Sequence, residues 1–229
     1  FKYAVKPLRW IDENPAADLE KPKTDEDTTG DPFTQDEMAR IIQAAKEDSD
    51  PRVLPFILTM RFAGLRISDA SMLRVGSLQG EHIALRMIKT HKDVKVLLED
   101  WVADTIRATP HDNPQFFFTS GNAKVTTATN LWWKRLARVF ERAGISDGHS
   151  HRLRDTFAVE LLIAGVSMEN VSRLLGHRNQ RITELHYAKW TQQRQDAADE
   201  AVKKANGSHQ FKQLVTGEKG SIIPMRKKA

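Results

Sequence analysis

The hydrophobic pattern of this chain is helical along most of its length and changes to strict alternation most clearly between Glu81 and Leu98. Apolar residues three and four apart line one face of a helix, whereas alternation lines one face of a strand. That change of period makes the fold class mainly α, in an α+β arrangement with a small antiparallel sheet or hairpin. The two arms of the hairpin are HIALRMI and VKVLL, with polar THKD between them. Around it the spacing predicts helices. Thr34 followed by Glu37 forms a capping box, and Met38, Ile41, Ile42 and Ala45 then recur on one face. The apolar stretch VLPFILTMRFAG closes at Gly64, and ISDASMLRV continues as a short helix. Asp100 to Ala108 reads as helix, the phenylalanines at 116–118 as a short strand or extended segment, and Thr129 to Ala143 as an amphipathic helix ended by Gly144. HRLRDTFAVELLIAG stops at Gly165, Ser167 caps a helix through Leu175, and Thr191 to Ala205 repeats charge and alanine in helical register.

Composition narrows the classes of function. The 229 residues, 40% of them hydrophobic, suffice for one substantial core. There is no cysteine, which excludes disulfides, thiolate nucleophiles and cysteine-ligated zinc and fits the reducing cytoplasm expected as its location. No apolar run approaches the roughly 18 residues that span a bilayer, so a membrane partner is not expected. A net charge of +5 favours a polyanion such as nucleic acid. The opening FKYAVKPLRW reads as the end of a helix whose start is missing, and Asn14 to Asp31 is rich in proline, charge and turn formers, as interdomain linkers are. From Gly207 the chain is polar and basic.

Several side chains are candidates for chemistry. HRLR sets His151 and Arg154 three apart on one helical face. Cations sit poorly at the positive end of a helix dipole, so the pair makes more sense with an anion between them; the plain alternative is a solvated basic helix start. Arg66 follows Gly64 at a helix junction, where it either pairs with Asp69 on the surface or offers its planar fork to two phosphate oxygens. Lys89 lies in the hairpin beside Thr90, with Lys92 and Lys95 following; a turn lysine is either solvated or, resting on phosphate, a proton donor. His177 follows a helix-ending glycine. Of the two tyrosines, Tyr3 lies in the leader, which leaves Tyr187 as the candidate nucleophile, or otherwise a residue at the rim of the core.

The order GLR-x-S-D, a hairpin with K-T, H-x-L-R, L-L-G-H and T-E-x-H-Y resembles the catalytic domain of the tyrosine recombinases, the phage-type integrases, over roughly Asp31 to Ala205. The resemblance implies a division into residues 1–30 as the end of a truncated core-binding domain plus linker, 31–206 as the catalytic domain and 207–229 as a basic tail. It implies that Arg66, Lys89, His151, Arg154, His177 and Tyr187 form the catalytic set. Three departures stand out: Asp155 occupies a place where the family often has histidine, Tyr187 lies ten residues after His177 rather than nine, and Thr90 replaces a frequent glycine.

A member of this family attacks a DNA phosphate with its tyrosine, leaving a 3′-phosphotyrosyl link and a free 5′-hydroxyl that later attacks another strand's link. Bond energy is conserved, so ATP is not expected, and because cationic side chains would take the electrostatic role that metals play elsewhere, neither a metal nor another cofactor is expected. Arg66, Arg154 and His177 would steady the charge on the non-bridging oxygens, Lys89 would protonate the leaving oxygen and His151 would accept a proton from Tyr187. Double-stranded DNA is the implied partner, with a homo-tetramer assembling on it and accessory DNA-bending proteins as further partners. The segment Thr191 to Ala205 would either dock on a neighbouring subunit or pack on its own. A non-catalytic DNA-binding protein of the same fold is the alternative, as are a type IB topoisomerase and a telomere resolvase, which share the chemistry.

Overall fold

The capping box forms as expected: Thr34 Oγ1 accepts from Glu37 N–H, the Glu37 carboxylate accepts from Thr34 N–H, and α1 follows over Gln35–Lys46. This is a computed structural model, and it describes residues 2–17 and 31–187 together with Trp190, Gln195 and Asp199. A single helical turn at Lys2–Val5 lies ahead of α1. The domain boundaries read from the sequence fall largely on the undescribed stretches, as does Thr191 to Ala205, of which Gln195 and Asp199 are helical.

Helix α2 (Val53–Ala63) is buried on nearly every side and ends at Gly64 in the left-handed conformation. The short α3 (Ile67–Ser71) stops earlier than the apolar pattern predicts. Backbone groups just beyond it are taken by another partner: Phe117 N–H donates to Leu73 O and Val75 N–H to Gln115 O, which draws the phenylalanine segment alongside as an extended run with one β-bridge, Arg74 to Phe116. A 3-10 turn at Val75–Ser77 then leads into the sheet.

Among the described residues the sheet has three strands in the order β1 (Leu78–Gln79), β2 (His82–Arg86) and β3 (Asp93–Leu97), all antiparallel. The register pairs Ile83 with Val96 and Leu85 with Val94, so the alternating apolar residues meet on the inner face. β1 was not foreseen, because two residues carry no period to read. Helix α4 (Asp100–Arg107) matches its expected span, and α5 (Val125–Arg142) starts four residues ahead of Thr129. The β-branched residues at that start are poor helix formers by only a few tenths of a kcal/mol each, less than the packing of Ala128 and Trp132 returns. Trp132 stacks on Phe56 at 3.9 Å between ring centroids, meets Phe118 edge-on and donates its indole N–H to Phe118 O at 2.9 Å. Helices α6 (Ser150–Ile163) and α7 (Met168–Leu174) complete the domain, with Ser167 capping α7 as predicted. Residues 180–187 are again helical. Among the described residues no helix is long and apolar enough to cross a membrane.

Candidate active site

Arg154 is the anchor of the site, and it is fully buried. Its Nη1 donates to Gly64 O at 2.5 Å and its Nη2 to Leu175 O at 2.7 Å. Both acceptors cap helices, where carbonyls lack helical partners and the dipole end is negative. A guanidinium forced between two such ends has a reason to stay charged inside the protein: burial first, then the nearby Arg66 charge, lowers it to about 9, which still leaves it protonated at neutral pH. Its Nε has no hydrogen-bond partner.

Two glycines make this arrangement possible. At Gly64, φ is +60°, and an added Cβ would overlap the Phe157 ring, so the end of α2 can lie directly on α6 only without a side chain. At Gly176, φ is +62°, and a Cβ would stand 2.9 Å from both Met87 and Val94, which brings the end of α7, and with it His177, against the hairpin.

Around Arg154 a cleft of about 380 Å³ opens, lined by Arg66, Lys89, His151, His177 and Tyr187 among others. Five of the six residues singled out in the sequence therefore face one space and the sixth lies buried beside them, close enough to act electrostatically on His177 and Tyr187 and to feel the charge of Arg66. Arg66 stands at the start of α3, with a buried Nη1 that has no hydrogen-bond partner, and burial lowers its pKa while Asp69 and Tyr187 oppose that. It is not the surface pair with Asp69 that the plain alternative supposed: Asp69 is buried, and its Oδ1 accepts from Ile88 N–H at 2.7 Å. That bond ties the hairpin turn to α3 and so sets Lys89, the next residue, beside Arg66. Lys92 and Lys95 line other hollows. Burial raises the Asp69 pKa, with the Ile88 N–H, Arg66 and Arg154 pulling the other way.

His177 shares a 2.7 Å hydrogen bond between Nδ1 and Thr183 Oγ1. This leaves Nε2 for a ligand in the cleft. Burial, followed by the charges of Arg154 and Arg66, lowers its pKa to about 3. The His151 side chain is 57% exposed, yet loss of solvent on its inner side and then the cations around it lower its pKa, with Asp155 opposing. Tyr187 is 2% exposed and donates its hydroxyl to Asp155 Oδ1 at 2.6 Å. Burial and then Asp155 push its pKa well above the ordinary phenol value, against the pull of Arg154 and Arg66.

Three residues of this site stand outside the catalytic set read from the sequence: Asp69, Thr183 and Asp155. Thr183 belongs to T-E-x-H-Y and Asp155 was visible as a departure, but a one-dimensional pattern does not show which polar atoms meet. The first turn of α6 carries no acidic residue, and the carboxylate of that helix that acts on His151 and Arg154 is Asp155, one turn further on. Among the described residues no cluster of three or more histidines and carboxylates could hold a metal ion. What the cleft presents is a cationic lining, Arg66 and Lys89 with Arg154 buried beside them, together with one buried hydroxyl.

A helical domain with a hairpin that carries this set defines an integrase-type catalytic domain: residues 32–194 match the phage integrase family, and the chain belongs to that family. Among its relatives, a tyrosine recombinase of Thermosipho africanus is 32% identical over 170 residues, 72% of this chain and 59% of that protein. The chain thus spans 59% of the length of that relative. In three dimensions it resembles the catalytic domain of bacteriophage HP1 integrase, with a TM-score of 0.57, 18% identity and coverage of 76% of this chain and 96% of that one. It also resembles a lambda integrase dimer bound to a COC′ core site, with a TM-score of 0.59, 18% identity and coverage of 83% and 68%. At such identities the structural likeness is one of fold.

Proposed function

We propose that this chain is the strand-cutting part of a site-specific DNA recombinase, an integrase, which breaks and rejoins double-stranded DNA through a 3′-phosphotyrosyl link on Tyr187. The observation that carries the reading is the pair of guanidiniums beside the Tyr187 hydroxyl. Arg66 and Arg154 each keep a buried N–H group without a partner. Unpaired buried donors and two like charges side by side cost free energy that an anion between them would offset. A DNA phosphodiester is such an anion, with two non-bridging oxygens to accept from donors of this kind. Family membership and the T. africanus relative support the same reading.

In this reading Tyr187 attacks the phosphorus, while Arg66, Arg154 and His177 stabilise the charge that builds on the non-bridging oxygens. Lys89, exposed on its turn, gives a proton to the departing 5′-oxygen. His151 belongs to the proton path from Tyr187. The bond energy held in the phosphotyrosyl link drives rejoining when a 5′-hydroxyl attacks it. Recombination between two duplexes needs four such cuts, hence a tetramer on DNA with accessory DNA-bending proteins as further partners, in the cytoplasm.

The test is covalent trapping on nicked suicide duplexes that carry the chain's recombination site, from which the cleaved end diffuses away. The expected result is a protein–DNA band on a denaturing gel with the wild-type chain and none with Tyr187→Phe. A band that persists in Tyr187→Phe would remove Tyr187 from its role.

A further inference from the structure

The hydrogen bond that leaves the Tyr187 phenol ends on Asp155, not on His151, whose Nε2 lies 3.7 Å from the same Asp155 oxygen. Asp155 and Tyr187 are both buried. The carboxylate sits one turn along α6 from His151, so the helix itself sets the order phenol, carboxylate, imidazole. Around this trio stand Arg66 at the start of α3, Arg154 on α6, and His177 and His186 from the segment that carries Tyr187.

We propose that Asp155 is the catalytic base that takes the proton from Tyr187 Oη, with His151 supporting it from the cleft side; this rests on the recombinase reading above. As the Oη–P bond forms and the P–O5′ bond breaks, the Oη–H bond breaks and its proton passes to Asp155 Oδ1, while O5′ receives a proton from Lys89. When the 5′-hydroxyl attacks the phosphotyrosyl link, Lys89 takes that hydroxyl's proton and Asp155 returns its own to Oη. The phosphodiester carries one negative charge before and after each step.

Chemistry favours a base in direct contact. Burial and the adjacent carboxylate hold the phenol above its ordinary pKa, so free phenolate is scarce at neutral pH. An entering phosphate would also offset the two arginine charges that alone favour phenolate. A carboxylate is a weak base toward a resting phenol. The transfer therefore belongs in the transition state, where the forming bond to phosphorus acidifies the hydroxyl. Asp155 departs from the histidine common in the family at this place, so the chain carries its own acceptor there.

The experiment is the single-turnover rate of covalent adduct formation on a suicide duplex, for the wild-type chain and Asp155→Asn, between pH 6.5 and 9. The isosteric amide keeps a hydrogen bond to the phenol but cannot take its proton. The expected result is a loss of about 10²- to 10⁴-fold at pH 7, with a rate in Asp155→Asn that climbs about tenfold per pH unit as hydroxide replaces the base, beside a flat wild-type profile. A rate in Asp155→Asn equal to or above wild type, or a loss of the same factor at every pH, would overturn the proposal. If circular dichroism shows Asp155→Asn unfolded, the wild-type profile decides: flat supports a built-in base, and a tenfold rise per pH unit overturns it. Absence of any adduct from the wild-type chain would instead overturn the recombinase reading, and this inference with it.

Discussion

A guanidinium with no exposed surface needs more than one partner to be tolerable, and Arg154 has two helix-end carbonyls and still keeps an unpartnered Nε. Burial, and after it the same concentration of positive charge, governs His177, whose pKa falls from the ordinary 6.5 to about 3. The imidazole should therefore be neutral at pH 7, accepting or donating a hydrogen bond without adding a third full charge. The folded chain binds fewer protons here than the unfolded one between about pH 3 and 6.5, so this site lowers stability as the pH falls through that window and has no such effect above it. Nuclear magnetic resonance of the His177 ring should show a neutral imidazole from pH 7 down to about 4.5 in the DNA-free chain. A midpoint near 6.5 would mean that burial and the two arginines do not act on it as described.

The elements hold this chemistry in place through a few close approaches, of which the Gly64 contact with Phe157 is the tightest test. Gly64→Ala incurs a left-handed backbone and a collision with a buried ring, which together should lower stability by about 2–4 kcal/mol. Gly80 has the same φ of +60° with nothing within 4 Å of a Cβ, so Gly80→Ala should cost only about 1–2 kcal/mol. Urea denaturation of both variants separates strain from packing; equal losses would show that α2 and α6 do not meet as tightly as the structure has them. Much of this architecture was legible in the sequence. The Thr34 cap, the stop at Gly64 and the alternation of β2 and β3 each follow from a local rule. The early end of α3 and the early start of α5 do not, because the first depends on backbone groups far away in sequence, Leu73 to Phe117 and Val75 to Gln115, and the second on core packing of Trp132. The site divides in the same way. Motif order singled out the six residues that the fold gathers, whereas the contacts of Asp155 with Tyr187, of Asp69 with the hairpin turn and of Thr183 with His177 depend on which polar atoms the folded chain brings together.

Across the whole molecule, a basic chain encloses a cleft whose donors exceed the acceptors among its own side chains. An excess of that kind is stable only because it is small and partly solvated at the mouth, and it is the feature that fits a phosphate entering from outside. The strand-cutting reading brings together the cationic cleft, the buried hydroxyl and the family to which the chain belongs. The most direct test is tandem mass spectrometry of the trapped adduct after digestion with protease and nuclease. The account predicts a nucleotide joined through its 3′-phosphate to the Tyr187 hydroxyl. A 5′-phosphate linkage, or attachment to any other side chain, would contradict it.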